Sequence, residues 1–145
     1  RNIANLVPPF ILDGVHIGTS AAIEYAIKEL KVKHIIIIGH RGCGGIHSSY
    51  KLHTSTQSDN YEFINKWLDI LKPVFKKIPN KIPKKNQIEM LEEEGIKNSI
   101  NNLFTFPDIE KYAESKSLSI HGLIHDIGTG ELKQLNPLTG KFENI

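Results

Sequence analysis

The stretch Gly39-His40-Arg41-Gly42-Cys43-Gly44-Gly45 is the one place where a borderline and a soft metal ligand sit close together, directly after a run of isoleucines. His-x-x-Cys spacing lets an imidazole and a thiolate converge on one tetrahedral zinc ion, and the glycines permit a tight turn with room beside the metal. Cys43 precedes a helical stretch, whose N-terminal partial positive charge favours thiolate over thiol. Taken alone, the pair reads equally as a buried cysteine beside a strand-end histidine, since free cysteine is among the most buried residue types. A phosphate cradle is the weaker reading, because the run contains neither Gly-x-x-x-x-Gly-Lys-Ser/Thr nor Gly-x-Gly-x-x-Gly.

Other groups with chemical potential are scattered. His121 and His125 stand four apart on an expected strand and share a face, which is open to a metal but more often reflects packing. His47 and His53 read as solvated or interfacial, and Glu92-Glu93-Glu94 as a solvated helix face. No Ser/His/Asp ordering is evident, so no catalytic side chain is assigned.

The elements that must position His40 and Cys43 read as an α/β series. Residues 6–18, with Pro8, Pro9, Gly14 and Gly18, form an extended connection. Thr19 or Ser20 is placed to cap a helix over 21–30, with Ile23, Ile27 and Leu30 on one face and Ala22 and Ala26 alongside. Residues 32–40 contain four consecutive isoleucines, which suits a strand buried on both faces, as in a mostly parallel sheet. The glycine-rich turn leads into a helix over 46–52, followed by a polar loop over 53–60. A helix over 61–77 should be bent or interrupted at Pro73. Residues 79–87 are a basic, proline-punctuated connection, after which Ile88, Leu91, Ile96, Ile100 and Leu103 mark a long amphipathic helix with Gly95 as its weak spot. A short helix starts at Phe106-Pro107 and reaches 116, residues 118–125 alternate as a second strand, 126–130 form a turn, and 131–135 return as a short strand.

The 145 residues suit a single domain over 1–145. A formal net charge of +2 is too small a field to argue for nucleic acid. The longest aliphatic run, residues 35–38, is far short of the roughly 20 residues of a membrane span. One cysteine permits no internal disulfide, so a reduced, cytoplasmic setting is the default. The chain opens on Arg1, and its only methionine is Met90. The expectation is therefore an upstream segment that supplies further strands to a sparse sheet and carries any targeting signal.

Four ordered segments together resemble the β-class carbonic anhydrases of the plant-like subgroup. They are residues 1–9 (Arg-Asn-Ile-Ala-Asn-Leu-Val-Pro-Pro), residues 18–26 around Tyr25, the Gly39-His40 to Cys43-Gly44-Gly45 turn, and His121-Gly122 with Asp126-Ile127-Gly128-Thr129-Gly130-Glu131-Leu132. The resemblance implies zinc (Zn2+) held by two cysteines and a histidine, with His40 and Cys43 matching the histidine and the second cysteine. The first cysteine, with the Asp and Arg of the family's Cys-x-Asp-Ser-Arg motif, has no counterpart in residues 1–145. The resemblance also implies that Ile3, Tyr25 and Gly44 line a small carbon dioxide pocket, and that the protein is a homodimer or a higher even-numbered homo-oligomer.

The activity so implied is reversible hydration of carbon dioxide to bicarbonate and a proton by zinc-bound hydroxide. The 145 residues alone are expected to bind zinc weakly and to hydrate little carbon dioxide. A metal-free binding scaffold and a zinc hydrolase of a carbon dioxide analogue are the alternatives.

Overall fold

The computed structural model describes residues 1–12, 17–55, 60–115 and 117–145. Helix α1 (Ile17–Lys28) leads to strand β1 (His34–His40), and the glycine turn then opens helix α2 (Gly44–Thr54). Helices α3 (Glu62–Leu68) and α4 (Lys72–Phe75) flank a 3-10 turn at Asp69–Leu71, and they precede the long helix α5 (Lys84–Leu103) and the shorter α6 (Pro107–Glu114). Strands β2 (Ser119–His125), β3 (Leu132–Leu135) and β4 (Phe142–Asn144) close the chain.

The α/β class expected from the sequence is what the chain forms. The described strands lie in the order β1-β2-β3-β4, with β1 and β2 parallel and the other two pairings antiparallel, so the sheet is mixed. The β1–β2 register sets His34 opposite Ser119 and ends with His40 opposite His125.

Helix α5 determines which face of the sheet is core. A methyl added at Gly39 would stand 2.8 Å from Ile96 Cδ1, and one at Gly122 would stand 2.9 Å from Ile100 Cδ1. The two glycines thus let α5 lie directly on β1 and β2. Ile37, Ile96, Leu103 and Ile124 form one buried cluster there with Val7 and Ile27. At its other end α5 contributes Ile88 and Leu91 to a second cluster with Cys43, Ile46, Leu68 and Leu71. One helix therefore ties the sheet to the segment that carries Cys43.

Several expectations change. Strand β1 is not buried on both faces: Ile37 and Gly39 lie under α5, whereas Ile36 is 56% and Ile38 53% exposed. The reason is topological, because β1 ends the described sheet and α5 covers only the alternate residues. Thr19 and Ser20 do not cap α1, which already begins at Ile17, and the residue before it falls in 13–16, outside the described residues. Leu30 lies beyond α1 and is exposed. The 61–77 segment is interrupted, with the break in the 3-10 turn and Pro73 in the first turn of α4, where its missing N–H costs no helical bond. Helix α5 starts earlier than expected, directly after Pro83, and runs unbroken through Gly95, where a methyl would meet Leu71 Cδ2 at 3.3 Å. Residues 53 and 54 belong to α2, and 56–59 and 116 lie outside the described residues.

The sequence reading also missed β4. Asn136 builds the turn before it as Asp126 builds the one before β3: each side-chain Oδ1 accepts the N–H groups two and three residues on, at 2.8 to 3.4 Å. Gly130 (φ +79) and Gly140 (φ +67) then take the left-handed conformation that completes each turn. No described helix is long and apolar enough to cross a membrane.

Candidate metal centre

Strand β1 delivers His40 at its C-terminal end, and the next residue stays tied to the sheet because Arg41 N–H donates to the His125 carbonyl at 2.8 Å. Gly42 reverses the chain at φ +68, a conformation that only glycine adopts readily. Cys43 follows as the N-cap residue of α2, its carbonyl accepting His47 N–H at 3.0 Å, and the free thiol residue is 5% exposed. His40 Nδ1 stands 3.0 Å from the Arg41 carbonyl oxygen. A carbonyl only accepts, so Nδ1 carries the proton and the Nε2 lone pair is left for a metal.

The turn is clamped from α5. Glu92 Oε1 accepts Gly42 N–H at 2.7 Å and Cys43 N–H at 3.2 Å, and Oε2 accepts Arg41 Nη1 at 3.2 Å. Arg41 also donates through Nη1 to the Glu89 carbonyl at 3.0 Å and through Nη2 to Glu93 Oε1. Burial opposes the charge on the Arg41 guanidinium, but the bonds and charges of Glu93 and Glu92 hold its pKa above the ordinary value. The buried Glu92 carboxylate and the partly buried Arg41 guanidinium therefore compensate each other beside Cys43.

This overturns the reading of 92–94 as a solvated face. The Glu92 side chain is 3% exposed, Glu93 pairs with Arg41, and Glu94 pairs with Lys97 at 2.6 Å. The signal was in the spacing: Glu92 lies four residues after Ile88 and four before Ile96, on the buried stripe of the same helix.

Ile3 reaches the turn from the N-terminus. A methyl on Gly45 would stand 2.7 Å from Ile3 Cγ2 and 3.1 Å from the Ala4 backbone nitrogen, so the first residues pack directly on the start of α2. Trp67 Nε1 donates to the Ile3 carbonyl at 2.9 Å, and Ser99 Oγ holds the same segment between the Asn5 carbonyl and the Val7 N–H. Gly44 is exposed, with open space beside its Cα. Tyr25 is 59% exposed on α1, on the helix face that Ala22 continues into a groove along β1, the outer strand of the described sheet. The fold thus gathers His40, Cys43, Gly44 and Ile3 around one turn and sets Tyr25 apart on α1. Arg41, His47, Glu89 and Asp126 border a cleft of about 550 Å³ beside the turn.

His40 and Cys43 fit a zinc ion by donor chemistry: an imidazole whose other nitrogen is anchored to a carbonyl, and a buried thiol at a helix N-terminus that forms no capping bond. Among the described residues, no group of three His, Cys, Asp or Glu is placed to hold a metal ion. The two donors leave the remaining positions of a tetrahedral ion to other groups.

A family model described as carbonic anhydrase matches residues 1–132. Beta carbonic anhydrase 3 of Arabidopsis thaliana is 33% identical over 141 residues, covering 94% of this chain and 54% of that protein. The chain thus spans about half the length of that curated relative. The β-carbonic anhydrase CcaA superposes with a TM-score of 0.87 at 27% identity, covering all of this chain and 70% of that one. A tetrameric β-carbonic anhydrase of the ascomycete Sordaria macrospora gives a TM-score of 0.76 at 31% identity, covering 94% of this chain and 66% of the other.

Proposed function

Because the chain belongs to the β-carbonic anhydrase family, we propose that the protein interconverts carbon dioxide with bicarbonate and a proton at a zinc site that includes His40 and Cys43. The observation that carries this reading is the pairing of an anchored imidazole with a buried thiol three residues on, in one turn fixed from α5. A zinc ion held by His40 and Cys43 would lower the pKa of a bound water toward neutral and so supply a nucleophile.

This chain's residues provide the surroundings. The Arg41 carbonyl holds the His40 proton on Nδ1, and Glu92 fixes the turn that carries Cys43. Ile3 offers an apolar wall suited to a nonpolar substrate, and Gly44 leaves the adjoining space open. Tyr25 would join this wall across an interface between copies. The exposed Ile36, Ile38 and Tyr25, and the tetramer described for the Sordaria macrospora protein, support an even-numbered homo-oligomer. A thiolate ligand needs a reduced thiol, which fits the cytoplasm.

The described residues supply two donors to this site, and the 145 residues should hold zinc weakly by themselves. Stopped-flow carbon dioxide hydration, measured together with zinc content on the whole protein, tests the proposal. Hydration that falls at least about 100-fold in Cys43→Ser, with loss of zinc, supports it. A zinc-free protein without hydration points to a scaffold, and zinc without hydration points to another substrate.

A further inference from the structure

Two histidines meet on the sheet face opposite α5. The β1–β2 register pairs His34 with Ser119 and Ile36 with His121, which puts the two histidines on the same face of adjacent strands, one step off a direct pair. Their side chains meet: His34 Nδ1 is 3.1 Å from His121 Nε2, with ring centroids 5.3 Å apart and the planes inclined by 35°. The sequence grouped His121 with His125, but the ring that His121 touches belongs to His34, a residue that no motif had singled out.

We propose that His34 and His121 chelate one divalent ion of the zinc, nickel and copper class, at a site separate from His40 and Cys43. Two nitrogens each about 2.0–2.1 Å from one ion stand about 3.3 Å apart in a tetrahedral arrangement and about 2.9 Å apart at a right angle. The observed 3.1 Å lies between these values, so the nitrogens are already at the separation that ligation needs, and the rings have to turn until both lone pairs converge on one point. In the metal-free pair one ring donates its N–H to the other. On ligation that proton moves to the other nitrogen of its own ring, which frees the lone pair for the ion.

His34 and His40 sit at opposite ends of β1, six residues or about 20 Å apart, too far for one ion to serve both. No third His, Cys, Asp or Glu joins the pair among the described residues. Waters therefore complete the shell, and the ion stays exchangeable. Because the ligands lie on neighbouring strands, the ion would also brace the start of the β1–β2 ladder.

The test uses calorimetric titration with Zn2+ in a His40→Ala/Cys43→Ser background, which removes the other site. The expected result is one ion per chain, with at least a tenfold rise in Kd for either His34→Gln or His121→Gln and little further rise for the two combined. Equal isotherms with and without these substitutions, or no binding in the background chain, would overturn the proposal. Imidazole-nitrogen NMR with His34 and His121 unaltered reads the same event. Joint movement of the His34 and His121 signals on adding Zn2+ supports the site, and movement confined to other histidines contradicts it.

Discussion

Cys43 and Glu92 meet through a buried hydrogen bond across 49 residues of chain, the Cys43 N–H donating to Glu92 Oε1 at 3.2 Å. The same oxygen takes the Gly42 N–H, and Arg41 balances the charge. The turn that carries His40 and Cys43 is therefore held by a carboxylate from α5 as well as by its own glycines. Glu92→Ala would strand two backbone donors and weaken the pairing of a partly buried guanidinium, at a cost of about 2–4 kcal/mol. Glu92→Gln keeps an acceptor and should cost less. Urea unfolding checks the order, and alkylation of Cys43 should speed up in the alanine variant. A loss below about 0.5 kcal/mol for Glu92→Ala would contradict the clamp.

Adjacent glycines make a sharper contrast. Gly45→Ala drives a methyl against Ile3 and the Ala4 backbone and should cost about 1–3 kcal/mol. Gly44→Ala meets nothing within 4 Å and should be neutral or stabilise by up to about 1 kcal/mol. Thermal melts of the two variants separate these outcomes, and equal stability would refute the packing of Ile3 on α2.

His53 gives a pH dependence. Burial, aided by Lys72, holds its pKa below the ordinary value against the opposing pull of Asp69 and the Leu68 backbone, and its ring lies 4.9 Å from Phe75. The unfolded chain therefore takes up this proton first as pH falls. This contribution to stability is full above about 6.5, declines as pH drops toward the lower folded-state pKa, and levels off below it. The fall in Tm between pH 7.5 and 5.5 should be smaller in His53→Phe than in the unaltered chain. Equal falls would show that His53 does not titrate with unfolding.

The turn was legible because glycines directly after an isoleucine run mark a strand end and a chain reversal, which Gly42 makes at φ +68. The α/β series was legible from periodicity. Burial was harder to read: four isoleucines in a row say nothing about how many neighbours a strand will have, so Ile36 and Ile38 were placed inside. Glu92 was missed because charge outweighed its position on the Ile88–Ile96 stripe. The second hairpin was missed although Asn136 and Gly140 repeat the chemistry of Asp126 and Gly130, because its strand is only three residues long.

Zinc K-edge X-ray absorption on the zinc-loaded whole protein tests the metal assignment most directly. The account predicts sulfur scattering at about 2.3 Å together with imidazole nitrogen at about 2.0–2.1 Å, with sulfur scattering reduced in Cys43→Ser and the imidazole signal reduced in His40→Ala. A zinc shell left unchanged by both substitutions would contradict it.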